Sequence, residues 1–184
     1  MKKLALAVLA VFVASAAFAG NFGLGLKVGA GQNDLKGDGV GIKLDKNYGF
    51  AGAELLYEFG QTGSDRLGLK VGFDIYQEDK VTFGSLEDKI KTYNVPLTLY
   101  YKWDRGIGAV SYFLGAGATY VRAEGKWTSK SKGFAHGVLG AEYRFSELFA
   151  LGADATYNFG AKLEAGTLSD RSGFRGALTA RFYF

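Results

Sequence analysis

Leu67-Gly68-Leu69-Lys70-Val71-Gly72-Phe73-Asp74-Ile75 decides the fold. Large apolar residues occupy every odd position, and two glycines, a lysine and an aspartate occupy the even ones. A period of two sends successive side chains to opposite faces of a β-strand. One face of this strand is therefore wholly apolar, and the other holds only charge and glycine.

Seven more segments repeat the pattern, at 22–30, 51–59, 93–103, 110–120, 135–145, 149–159 and 174–184. Each runs for about 10–13 residues, close to what a tilted strand needs to cross a bilayer. The apolar face carries no charge across its central band. The opposite face carries Lys27, Glu54, Glu58, Lys70, Asp74, Lys102, Glu142, Arg144, Asp154, Arg175 and Arg181. A soluble sandwich or periplasmic barrel would turn its apolar residues inward and its polar ones outward. The expected fold is all-β: an eight-stranded antiparallel up-and-down transmembrane barrel.

The connections alternate in length, which is a second signal. Long polar stretches at 32–47, 77–91, 123–133 and 160–171 follow odd strands, and short turns at 60–65, 104–108 and 146–148 follow even ones. Long outer loops and short periplasmic turns are the asymmetry of outer-membrane barrels. An even strand count puts both termini in the periplasm. Aromatic residues gather at the strand ends of the apolar face. Phe22, Tyr57, Phe59, Tyr101, Trp103, Tyr143, Phe145, Phe182 and Phe184 are assigned to the periplasmic rim. Phe73, Tyr93, Tyr120, Tyr157, Phe159 and Phe174 are assigned to the outer rim. Amphipathic rings favour the headgroup level, so two such girdles mark two interfaces.

Residues 1–19 are expected to be a signal peptide, leaving 20–184 as the barrel domain. Lys2 and Lys3 precede an apolar run over 4–13, and Ala17-Phe18-Ala19 has the small-x-small form of a cleavage site. The run is shorter than the roughly 20 residues of a helical span. The chain contains no Cys, so it has neither disulfides nor thiolate metal sites. Its 28 Gly with 48% apolar residues suit a β-protein and argue against disorder. A formal charge of +4, two of it in Lys2 and Lys3, is too weak to point to nucleic acid.

Three stretches resemble a known superfamily: Asn94-Val95-Pro96-Leu97-Thr98-Leu99-Tyr100-Tyr101-Lys102, Tyr112-Phe113-Leu114-Gly115-Ala116-Gly117-Ala118-Thr119-Tyr120 and Leu178-Thr179-Ala180-Arg181-Phe182-Tyr183-Phe184. They are similar to strands of the small outer-membrane barrels that include the OmpA transmembrane domain, OmpX and the opacity proteins. The likeness covers the whole mature chain and is specific for fold and location. It implies that the alternating end with Phe182 and Phe184 is read by the barrel-assembly machinery. OmpA proteins continue into a peptidoglycan-binding domain. This sequence stops at Phe184, so no such domain is expected. The fold hosts adhesins, invasins and lipid-modifying enzymes alike, so it does not determine function.

Site chemistry is sparse. Gly-rich runs at 23–31 and 115–118 do not open a helix, and no Walker-type Gly-Lys-Ser/Thr is present. The one histidine, His136, faces inward near the outer end of its strand. Lipid-A-trimming barrels have a His-x-Ser pair, whereas here His136-Gly137-Val138 lacks the nucleophile. A palmitoyl-transferring barrel needs an apolar interior, and this one is charged. No catalytic, metal or cofactor residues are expected.

The interior charges are expected to pair and fill a lumen just wide enough for side chains. Glu54 on the second strand is placed to meet Lys27 on one side and Lys70 on the other. Asp154 is placed to meet Arg175 or Arg181. In the third outer loop Arg122, Lys126, Lys130 and Lys132 outnumber Glu124. Arg122 and Lys126 are candidates for lipopolysaccharide phosphate, since Arg and Lys are the usual phosphate partners. The expected function is a non-enzymatic, monomeric outer-membrane protein with a structural or surface-interaction role, whose loops meet an unknown extracellular ligand. A small-solute or gated ion pore is the first alternative, and a lipid-A-modifying enzyme the second.

Overall fold

The computed structural model describes residues 22–32, 47–83, 86–126, 129–159 and 173–184. The expected signal peptide and most of the expected loops at 32–47 and 160–171 lie outside the described residues. Nine strands are present among them: β1 (Phe22–Gln32), β2 (Asn47–Thr62), β3 (Asp65–Tyr76), β4 (Asp79–Phe83), β5 (Leu86–Trp103), β6 (Val110–Glu124), β7 (Ser129–Arg144), β8 (Phe149–Phe159) and β9 (Gly173–Tyr183). All pairings are antiparallel. β3 passes over β4 to pair with β5, and β9 returns to pair with β1. Eight strands thus close a barrel, and closure removes the unpaired edges of an open sheet.

The pleat sorts the side chains as the alternation implies. Leu26, Val28, Phe73, Ile75, Leu97, Leu99, Leu114, Leu139 and Leu178 stand exposed on the outside. Lys27, Glu54, Glu58, Lys70, Asp74, Lys102, Glu142, Arg175 and Arg181 are buried inside. Leu178 is 66% exposed while Arg181, three residues on, is 1% exposed. A water-soluble barrel cannot tolerate this inversion, because it would hydrate the leucines and desolvate the charges.

Close strand approach needs glycine at inward positions. A Cβ on Gly117 of β6 would collide with the carbonyl oxygen of Leu97 on β5. The β5–β6 connection holds Gly106 and Gly108 at φ +78°, a left-handed conformation that glycine adopts without steric cost.

Two expected loops are largely strand. The stretch 77–91 forms a hairpin in which β4 pairs with the start of β5, from Asp79↔Ile90 to Phe83↔Leu86. The stretch 123–133 also closes up: β6 and β7 pair as far as Glu124↔Ser129. Outside an apolar medium, neither face of a strand needs to be apolar. Charges then fall on successive positions, as in Glu87-Asp88-Lys89, and hide the period of two. The expected turn at 60–65 tightens to Gly63 and Ser64 between Thr62↔Asp65, with a bulge between Glu58 and Gly60.

Candidate functional site

The site is the barrel interior, where each strand contributes its inward-facing charges. At the end where β1 begins and β9 ends, Arg66 lies 3.2 Å from Asp104 and 3.5 Å from Glu58. Asp104 sits in the β5–β6 turn, where it accepts from the Gly106 amide (3.0 Å) and the Ser111 hydroxyl (3.1 Å). Burial pushes its carboxyl up. The Gly106 amide, the Lys102 and Arg144 charges and the Ser111 hydroxyl outweigh burial and hold it below the usual carboxylate range.

Farther in, Lys102 bridges Glu58 and Glu142, the latter at 3.3 Å. The Tyr183 hydroxyl lies 2.8 and 2.9 Å from the two Glu142 oxygens. Arg144 stacks its guanidinium 4.3 Å above the Tyr183 ring. At the centre, Arg181 donates to Glu54 (2.8 Å) and Glu142 (2.9 Å) and stands 3.7 Å from Asp154. Lys70 lies 3.6 Å from Glu54 and 3.7 Å from Asp154. Toward the far end, Asp74 receives both Lys27 (2.6 Å) and Arg175 (2.9 Å), and Arg175 also donates to the Tyr76 hydroxyl (2.8 Å).

The structure brings the interior charges together, with two of the expected contacts present, Glu54 with Lys70 at 3.6 Å and Asp154 with Arg181 at 3.7 Å, and one replaced. Lys27 pairs with Asp74 rather than Glu54. Arg175 also pairs with Asp74, leaving Arg181 as the Asp154 neighbour. Side chains inside a narrow barrel reach across it as well as along the wall. Arg181 meets Glu54 across the β9–β1–β2 seam, with Gly25 of β1 between them, and Arg175 crosses to β3. Parity places a side chain in the lumen but does not choose its partner.

Apolar groups separate the charges. Leu56, Tyr100, Phe113 and Val138 form one buried cluster, and Tyr48, Phe50, Tyr76 and Ala177 form another. Phe113 also lies 5.2 Å from Lys70 and 5.1 Å from Arg181, within cation–π range. These residues share the inward parity of the charges. Their role was not legible in the sequence, because an inward apolar residue looks like an exception to the pattern until its neighbours are known. Two cavities among the described residues, one beside Arg181 and one beside His136, measure about 10 Å³ each. That is room for about one water molecule and for no substrate.

His136 is buried between two hydroxyls, with Thr98 at 2.9 Å from Nε2 and Thr119 at 2.8 Å from Nδ1. Among the described residues no group of three His, Cys, Asp or Glu is placed to hold a metal. On the outside, Arg122 stands beyond Tyr120 and pairs with Glu124 at 2.6 Å, while Lys126 is exposed in the β6–β7 turn. Phe182 faces outward against Phe149 at 5.2 Å. The Phe184 amide donates to the Phe22 carbonyl at 2.9 Å, closing the β9–β1 seam.

Residues 4–182 match the family described as outer membrane protein beta-barrel domain. The chain belongs to this family. Its exposed apolar wall is the lipid-facing surface of an outer-membrane protein, and its strands are transmembrane. Similar folds occur in the N-terminal β-barrel domain of Pseudomonas aeruginosa OprF (13% identity, 89% of this chain and 98% of that one, TM-score 0.55). They occur also in Neisserial surface protein A (14%, 90% and 98%, 0.54) and in the outer membrane protein OprG from Pseudomonas aeruginosa (14%, 90% and 93%, 0.52). At such identities the likeness is one of fold. No curated protein matches the chain in sequence.

Proposed function

We propose that this outer-membrane barrel is a closed, non-enzymatic scaffold that presents a raised sheet to the cell exterior, in a structural or surface-interaction role. The observation that carries the reading is a wall of unequal height standing on a filled lumen. β5 has 18 residues against 11 in β1. Its lipid-facing positions remain aromatic or aliphatic only as far up as Tyr93. From Leu86 to Thr92 it continues, paired with β4 and then β6, for about 20 Å at about 3.3 Å per residue. A paired sheet that continues past the membrane gives the barrel a surface to present to the cell exterior. The interior beneath it, crossed by ion pairs and left with cavities of about 10 Å³, supports a plug rather than a pore. His136, enclosed and engaged at both nitrogens, supports a structural rather than catalytic role.

In this reading both termini are periplasmic, the β4–β5 and β6–β7 hairpins face outward, and Phe182 and Phe184 belong to the signal read by the assembly machinery. The test combines topology with conductance. Protease added to intact cells is expected to cut only in the hairpins and outer loops, and the purified barrel is expected to show no steady conductance in a planar bilayer. Cuts confined to 60–65 or 104–108 would invert the orientation. A steady open-channel current would promote the pore.

A further inference from the structure

Part of the central charge cluster is spaced too widely for direct hydrogen bonds. Lys70 Nζ stands 3.6 Å from Glu54 Oε2 and 3.7 Å from Asp154 Oδ2. Arg181 Nη2 stands 3.7 Å from the same Asp154 oxygen. Charge-assisted hydrogen bonds close at about 2.7–2.9 Å. Glu54 Oε2, Asp154 Oδ2 and Arg181 Nη2 are shielded from solvent and make no hydrogen bond among the described residues. Lys70 adds an ammonium with three donors. Its contacts among the described residues are these two carboxylates and the Phe113 ring, 5.2 Å from Nζ to the centroid. A buried ammonium is strongly destabilising unless its donors find acceptors.

Lys70 lines both of the small cavities of the lumen. The first, of about 10 Å³, lies toward the end where β9 ends, between Lys70, Arg181, Lys102 and Glu142. The second, also of about 10 Å³, lies on the other side of Lys70, beside Asp154, Thr156 and His136. Each holds about one probe sphere, the least space that admits a water. An apolar cavity of that size stays dry, whereas a polar one with two or more hydrogen-bonding partners fills. Both of these are bounded by charged or hydroxyl-bearing side chains.

We propose that Lys70 is the centre of a two-water binding site, with one ordered water in each cavity. The water beside Arg181 accepts from Lys70 and from Arg181. The water beside His136 accepts from Lys70 and donates to Asp154. Together they complete the hydrogen bonds that the spacings of 3.6 and 3.7 Å leave unmade. A polar contact wider than about 3.5 Å is where a bridging water serves nearly as well as a direct bond. Lys70 is then held between its two carboxylates through solvent, while Arg181 is held directly by Glu54 at 2.8 Å and Glu142 at 2.9 Å. The interior is sealed by fixed water as well as by side chains.

Nuclear Overhauser transfer from water to methyl groups, measured on the barrel in lipid nanodiscs, tests it. Methyl protons do not exchange with solvent, so transfer to them reports a nearby water. Leu56 lines the first cavity and Val138 the second, and both are buried. The wild type is expected to show transfer to both methyl sets. Lys70→Met, which keeps the length of the stem and removes the donors, is expected to lose both signals. Glu54 keeps its bond to Arg181 in that variant, and the heat-shifted band on gels checks that it folds. Transfer relayed through a threonine hydroxyl would survive Lys70→Met unchanged, and that result would overturn the proposal. So would a wild type in which either methyl set receives no transfer, which needs no variant to fold. A high-resolution crystal structure of the wild type is expected to place one water in each cavity within hydrogen-bond distance of Lys70 Nζ; a dry cavity on either side would refute the site independently.

Discussion

Glu54→Ala probes the interior where its charges are most closely coupled. The Glu54 carboxylate is enclosed, accepts from Arg181 at 2.8 Å and stands 3.6 Å from Lys70. After its removal Arg181 retains Glu142 at 2.9 Å, but Lys70 retains only Asp154 at 3.7 Å. Lys70 is the stranded charge. Removing one partner of a buried pair typically costs about 3–5 kcal/mol. Lys70→Met in the same chain takes the stranded charge away, and half or more of that loss should return. Lys27→Met serves as the control, because Lys27 lies 2.6 Å from Asp74 and is not paired with Glu54. Glu54 and Lys70 should couple by about 0.5–3 kcal/mol, and Glu54 and Lys27, whose charges interact without an ion-pair contact, should couple less than Glu54 and Lys70 do. Urea unfolding in lipid vesicles, read by tryptophan fluorescence, measures all six proteins of the two cycles on one scale. A Glu54→Ala cost below about 1 kcal/mol, or rescue by Lys27→Met as good as by Lys70→Met, would refute the pairing.

Two further outcomes follow from the same geometry. Gly117→Val should prevent barrel formation, since even a Cβ there meets the Leu97 carbonyl, whereas Ala116→Val on the lipid face should leave the unfolding midpoint within about 0.5 kcal/mol of wild type. The absence of a heat-shifted band on gels reports the first, and urea titration the second. Asp104, held below the usual carboxylate range in its turn, binds its proton more weakly folded than unfolded. Its contribution is therefore complete above the unfolded value of about 3.9 and is lost as pH falls through the folded value. The stability gap between wild type and Asp104→Asn, followed from neutral pH downward, should hold until about pH 4 and then close; a gap that persists unchanged in acid would count against the hydrogen-bonded turn.

Much of the architecture was legible because pleat parity is a local property. Leu67 to Ile75 state which side chains face lipid and which face the lumen before any partner strand is known. The eight membrane-crossing segments and both aromatic girdles follow from the same parity. It ceased to inform above the membrane. Beyond the membrane neither face of the β4–β5 hairpin has to be apolar, so Asp79, Lys80, Glu87 and Asp88 follow no period of two in the sequence and read as loop.

The sequence by itself determined that this chain is a barrel turned inside out, with charge on the inward parity of its strands, while Arg66 and Asp104 join that network without having been singled out. Only the tertiary structure decided how those charges pair. Arg181 and Glu54 are 127 residues apart, and Arg175 and Asp74 are 101 apart. Closure of β9 onto β1 brings the first pair together, and the narrowness of an eight-strand lumen lets the second meet across it. Charges that must leave water accept whichever counter-charge the closed wall delivers. For Lys27 that is Asp74, two strands away, with Gly52 leaving open the space between them.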